Sequence, residues 1–115
     1  MSENRINAYR IMWLFVFFDL PVITKKQRKA ATLFRNNLMK DGFVMFQYSV
    51  YIRHCGSLES LQVHAKRVKL FVPNEGKVSV LSVTDKQYGD IINYWGKKEK
   101  GKKPPTKPVQ LEIIW

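Results

Sequence analysis

Asp19 and Glu3 are the only carboxylates in the first forty residues, and Asp19 closes a long apolar run just before Leu20-Pro21. Two readings fit an aspartate there. As a turn residue it would hydrogen-bond nearby backbone amides. As a metal ligand it would need help, because one Asp cannot hold Mg²⁺ alone. Two copies of Asp19 facing each other across a two-fold axis could share one ion that keeps its remaining waters, as Mg²⁺ prefers. An ion held in this way lowers the pKa of a bound water and neutralises charge on a phosphodiester. The chemistry would then be metal-assisted phosphodiester hydrolysis, with Asp19 as the ligand. Ser49 and Tyr48 lie at an expected strand reversal, and Ser49 is a turn hydroxyl unless the sheet brings it beside Asp19. Arg53 and His54 end a strand. Solvated charge is one reading for both, and orientation of a substrate by Arg53 is the other. His64, beside Lys66 and Arg67, has no acidic or nucleophilic neighbour in sequence and reads as a surface residue.

The charge balance says what such a site would meet. The chain has 115 residues, room for one domain, and carries twenty Lys+Arg against nine Asp+Glu, a formal +11. A domain this basic meets a polyanion: DNA, RNA or an anionic membrane surface. Two stretches carry the excess. One is Lys25, Lys26, Arg28 and Lys29; the other, some sixty residues on, holds Lys97, Lys98, Lys100, Lys102 and Lys103. Together they favour a phosphate-binding surface. Neither stretch interleaves aromatics in the manner of single-strand binders, and no helix reads as a base reader, which favours contact with a duplex backbone. One cysteine, Cys55, excludes an internal disulfide. With only His54 and His64 beside it, a Cys/His zinc site is also disfavoured. The longest apolar run, Ile11 to Phe18, is far short of a membrane span. Arg5 and Arg10 precede it, but Asp19-Leu20-Pro21 follows instead of a small-residue cleavage site. It therefore reads as a buried strand of a cytoplasmic protein, not a signal peptide.

The elements that must position these residues follow from periodicity. Ile11–Phe18 is apolar at every position, so both faces of this strand should be covered. Helices of the same chain would cover one face and a second subunit the other. Thr24-Lys25-Lys26-Gln27 fits a capping box, a stripe follows at Gln27, Ala31, Phe34 and Leu38, and Gly42 suits a left-handed cap. This predicts a helix over 24–41. Phe43–Phe46 and Ser49–Arg53 read as short strands reversing near Gln47-Tyr48. Ser57 caps a second helix with the stripe Leu58, Leu61, Ala65, Val68, Val72, which Pro73 stops. Lys77–Thr84 is a strand, and residues 85–95 are a polar turn and a short apolar segment of open type. The order strand, helix, strand, strand, helix, strand predicts an α+β fold, a ferredoxin-like βαββαβ sandwich over residues 1–95. Residues 96–108 hold six lysines, three prolines and two glycines, a flexible basic tether. Residues 109–115 alternate again and form an additional C-terminal strand, free to pair with a sheet edge of its own chain or a partner's.

Two family likenesses bear on this order. Asp41–Tyr48 partly echoes the stacking motif of RNA-recognition-motif domains, which share this topology, but it falls on the second strand where those domains carry it on the third. The stronger match is elsewhere. The strand ending Phe17-Phe18-Asp19-Leu20-Pro21, the basic helix entering Gly42-Phe43, and Gln47-Tyr48-Ser49-Val50-Tyr51 together resemble the Cas-two family of CRISPR-associated proteins. Val83-Thr84-Asp85-Lys86-Gln87 is similar to a segment of its longer members, particularly those of type II systems. The resemblance implies a ferredoxin-like homodimer in which residues 109–115 pair with the other protomer's sheet. It also implies a place in spacer acquisition, bridging two dimers of the Cas-one integrase and holding a duplex. It further implies endonuclease activity dependent on Mg²⁺ or Mn²⁺, on single-stranded RNA or double-stranded DNA, with Asp19 as the metal aspartate. A purely structural, non-catalytic DNA-binding adaptor is the alternative role.

Overall fold

The computed structural model describes residues 12–98. Four strands and three helices alternate as β1 (Met12–Asp19), α1 (Lys25–Lys40), β2 (Val44–Gln47), β3 (Val50–Cys55), α2 (Leu58–Phe71), β4 (Lys77–Thr84) and α3 (Asp85–Gly89). The sheet is antiparallel, in the order β2-β3-β1-β4, with β1 between β3 and β4. This is the expected α+β, ferredoxin-like architecture. The tether beyond residue 98, with Lys100, Lys102 and Lys103, and the 109–115 strand lie outside the described residues.

Capping fixes where α1 starts and stops. The Thr24 hydroxyl accepts from the Gln27 amide at 3.0 Å, and Gln27 Oε1 accepts from the Thr24 amide at 3.0 Å. At the other end Gly42 adopts φ 94°, its amide donates to the Met39 carbonyl at 3.0 Å, and the Phe43 amide donates to the Leu38 carbonyl at 3.0 Å. That pair of bonds is a Schellman motif and satisfies carbonyls the helix end would otherwise leave open. Ala31, Phe34 and Leu38 of α1 and Leu61 and Val68 of α2 are buried. With Leu14, Val16, Phe18 and Tyr51 from the sheet, Phe34, Leu38, Leu61 and Val68 form the main core.

The opposite face of β1 corrects the expectation that a second subunit alone would cover it. Trp13, Phe15 and Ile52 are buried there under Tyr88 of the chain's own α3, whose ring stacks on Trp13 at 3.8 Å. The residues read as an open segment therefore hold a short helix. Thr84 and Gln87 form its capping box, and Trp13 Nε1 donates to Asp85 Oδ1 at 2.8 Å. The cover stops short of the Asp19 end, where Phe17 is 38% exposed.

The hairpin also departs by a residue or two from expectation. Ser49 is not the first residue of a strand but sits in the Tyr48-Ser49 turn at φ 70°, and β2 carries a register shift between Met45 and Gln47. The extra residue in β2 and the left-handed serine replace the Asn-Gly or Asp-Gly turn that the sequence lacks at this reversal.

Candidate active site

Asp19 ends β1 in register with Lys77, the first residue of β4. It is exposed, and among the described residues its carboxylate makes no hydrogen bond or ion pair. The turn reading required bonds to nearby amides, and none is made. The turn before β4 packs closely against the end of β1. Gly76 has φ 101°, and a Cβ on it would lie 2.8 Å from the Asp19 carbonyl and 2.7 Å from Leu20 Cδ2. Only glycine combines that backbone conformation with that approach.

Ser49 reaches the same place from the other side. Its carbonyl accepts from the Phe18 amide at 3.1 Å. Asp19, Ser49, Lys77 and Ser79 surround an open cleft of about 320 Å³ floored by Phe17 and Val50. The sheet thus brings the candidate Ser49 beside the candidate Asp19. It adds Lys77, a cation that sequence reasoning passed over because it opens a strand and belongs to no basic run. A carboxylate free to take a cation, a hydroxyl and an ammonium group can hold a phosphodiester by its oxygens and present a ligand to a metal.

Arg53 does not join them. It pairs opposite Leu14, five residues back along β1 and so about 16 Å from Asp19. Its Nε donates to the Asp41 carbonyl at 2.7 Å and one Nη to the His54 carbonyl at 2.8 Å, with the guanidinium against Gly42. In its own chain Arg53 clamps the end of α1 onto β3, which corrects its assignment as a substrate-orienting group.

His64 is the second correction. It is buried on the inner side of α2, with Nδ1 2.6 Å from Asp41 Oδ2, while Arg67 donates to Asp41 Oδ1 at 2.7 Å. An ionised carboxylate only accepts, so His64 Nδ1 carries the proton in that bond. Burial pushes the Asp41 carboxyl up, but the hydrogen bonds from His64 and Arg67, and then their charges, outweigh it and hold it below its ordinary range. The signal that would have found this pair is tertiary: 23 residues separate them. Cys55 is fully buried and burial pushes its thiol up, so it is no nucleophile.

Lys25, Lys26, Arg28 and Lys29 are exposed at the start of α1, and Lys97 and Lys98 are exposed at the other end of the described chain. The first turn of α1 holds no acidic residue, so lysines crowd the positive end of a helix dipole. Arg28 is partly committed to its own chain, donating to the Val22 and Ile23 carbonyls at 3.2 and 2.7 Å. Among the described residues no group of three or more His, Cys, Asp or Glu side chains could hold a metal ion. Among the described residues Asp19 is thus the one carboxylate that lines the cleft. No helix among the described residues is long and apolar enough to cross a membrane.

Residues 12–91 match the family model described as CRISPR associated protein Cas2. A CRISPR-associated endoribonuclease Cas2 of Flavobacterium psychrophilum is 47% identical over 108 residues, 94% of each chain. Proteins of the same name from Parvibaculum lavamentivorans and Paracidovorax avenae are 50% and 46% identical, covering 90% and 95% of this chain and 100% and 99% of their own. With its strand order, its Asp19 cleft and these matches across most of its length, the chain belongs to the Cas2 family of CRISPR-associated proteins.

Proposed function

We propose that this chain, a nuclease by its family, is a homodimeric, metal-dependent endonuclease of CRISPR adaptation that acts on RNA or double-stranded DNA at the Asp19 cleft. The observation that carries the reading is the Asp19 carboxylate beside Ser49 and Lys77, exposed and without a hydrogen bond or ion pair among the described residues. Asp19 from two chains would hold one Mg²⁺ or Mn²⁺, which supplies an activated water and draws charge from the phosphodiester. Lys77 holds a non-bridging phosphate oxygen by charge-assisted hydrogen bonding, and the Ser49 hydroxyl donates to a second. The exposed basic start of α1, with the lysines from 97 onward, holds the flanking backbone without reading sequence.

Dimerisation is supported by what the sheet leaves open. Phe17, Val44 and Leu81 share the face away from α1 and α2 and are 38%, 46% and 51% exposed. An apolar patch on a sheet face fits a second copy. Strand β4 is an edge strand with no outer neighbour among the described residues, which suits the 109–115 strand of a partner. A basic dimer of this kind also suits the adaptor role, bridging Cas-one integrase dimers in the cytoplasm, and the single carboxylate that the described residues bring to the cleft favours that second reading should cleavage be absent.

The test is Asp19→Asn, which keeps the shape and removes the charge. Purified beside wild type, it should lose cleavage in Mg²⁺ by at least ~100-fold, the scale of a metal-assisted step, while dimer formation and nucleic-acid binding persist. Equal cleavage by both proteins removes Asp19 from the site. Absence of cleavage in both, with binding intact, selects the adaptor.

A further inference from the structure

Tyr48 stands at the tip of the β2–β3 turn, 76% exposed, with the Arg35 guanidinium of α1 5.6 Å from its ring centroid. The ring is open to solvent, and the turn that carries it is held in place. Its neighbour Ser49 adopts φ 70°, a conformation a non-glycine residue takes at a cost, and the Ser49 carbonyl is bonded to the Phe18 amide. The turn is therefore pinned to the end of β1, one residue before Asp19. Arg35 covers one side of the Tyr48 ring and leaves a π-face to solvent, directly beside a residue lining the Asp19 cleft.

We propose that Tyr48 and Arg35 form a base-stacking subsite for an unpaired nucleotide flanking the phosphate held in the cleft. The inference rests on the nucleic-acid reading of that cleft. Stacking on an exposed aromatic ring needs a base whose face is free, which a paired and stacked duplex base does not offer. The guanidinium adds a cation over the ring and a donor for the neighbouring phosphate, so the pair serves base and backbone together. The subsite thereby favours a single strand at this point, whereas the lysines of α1 grip any phosphate backbone. Aromatics interleaved with the basic runs were absent from the sequence because the stacking ring comes from a different element, joined to Arg35 only by the fold.

The test uses the full chain in EDTA, so that nothing is cut, and a short single-stranded RNA carrying 2-aminopurine, beside a duplex of the same sequence. Wild type should quench the unpaired 2-aminopurine on binding. Tyr48→Ala should abolish the quench and weaken single-strand affinity by roughly 5- to 150-fold, while duplex affinity and the salt dependence stay as they were. Tyr48→Phe, which keeps the ring, should retain both. Equal single-strand binding by wild type and Tyr48→Ala overturns the subsite alone, and so does an equal loss on both substrates. A change in dimer mass on sedimentation of Tyr48→Ala overturns it too, since the ring would then serve protein contact. Wild type that binds neither RNA nor duplex overturns this inference together with the reading beneath it.

Discussion

At the scale of single residues, the sequence exposed Asp19 because it is isolated among apolar neighbours, and hid His64 because its partner is distant. Asp41 ends α1, and His64 and Arg67 reach it from α2, so no spacing rule links them. Ser49 was legible only as a condition, met when the hairpin delivered it to the cleft, and Arg53 failed the same condition by running to the opposite end of the sheet. The buried carboxylate has a measurable consequence. Because the folded protein holds the Asp41 carboxyl below its ordinary value, the unfolded chain binds the proton first as pH falls. Its stabilisation is fully present above the unfolded value, near 3.8, and is lost as pH drops through the folded one. Asp41→Asn should therefore cost about 1.5–3 kcal/mol near neutral pH, the range for hydrogen bonds to a charged group. Its deficit against wild type should shrink below about pH 4. Urea melts across pH 2.5–7 check this, and a deficit that stays constant down to the lowest pH would deny Asp41 its role as a charged hub.

At the scale of elements, capping chemistry was the most legible signal, and for a physical reason. Thr24 with Gln27 and Ser57 act within one helical turn, so local sequence suffices to place α1 and α2. The same logic applied to Thr84 and Gln87 would have found α3, but its five residues give no apolar period to announce a helix. Strand β4 was placed correctly although its residues are mostly exposed, because β-branched residues at Val78, Val80 and Val83 outweigh its wet edge. The element that awaits a direct measurement is α1. Its first turns hold Lys25, Lys26 and Lys29 in solvent at the positive end of a dipole whose first turn has no acidic residue of its own, an arrangement that destabilises a free helix slightly and that bound phosphate would relieve. Lys25→Ala with Lys29→Ala should lower the slope of log affinity against log salt by about 2 on duplex DNA, and weaken all sequences alike. Fluorescence titrations from about 50 to 200 mM salt span the range in which such contacts act. An unchanged slope would mean that α1 faces something other than nucleic acid.

At the scale of the whole molecule, the proposed site is shared between two chains. Among the described residues the cleft offers the hydroxyls of Ser49 and Ser79 and the cation of Lys77 but one carboxylate, and the sheet face beside it ends in exposed Phe17 where the cover from α3 stops. In the proposed dimer a two-fold partner would meet both shortfalls, bringing a second Asp19 and a second apolar face together. If an ion is shared in this way, catalysis belongs to the pair of carboxylates, and a dimer with one Asp19→Asn chain is as inactive as one with two. Mixing equal amounts of wild-type and Asp19→Asn chains under conditions that exchange subunits gives wild-type pairs in about one quarter of dimers. Activity per wild-type chain should then fall to about half, and total activity to about one quarter, as the dimers equilibrate. Carboxylates acting independently would leave total activity at about one half, with no change on exchange. Half-activity that does not move as subunits exchange would sink the shared ion while leaving Asp19 catalytic. The expected decline to one quarter would place the reaction on the two-fold axis.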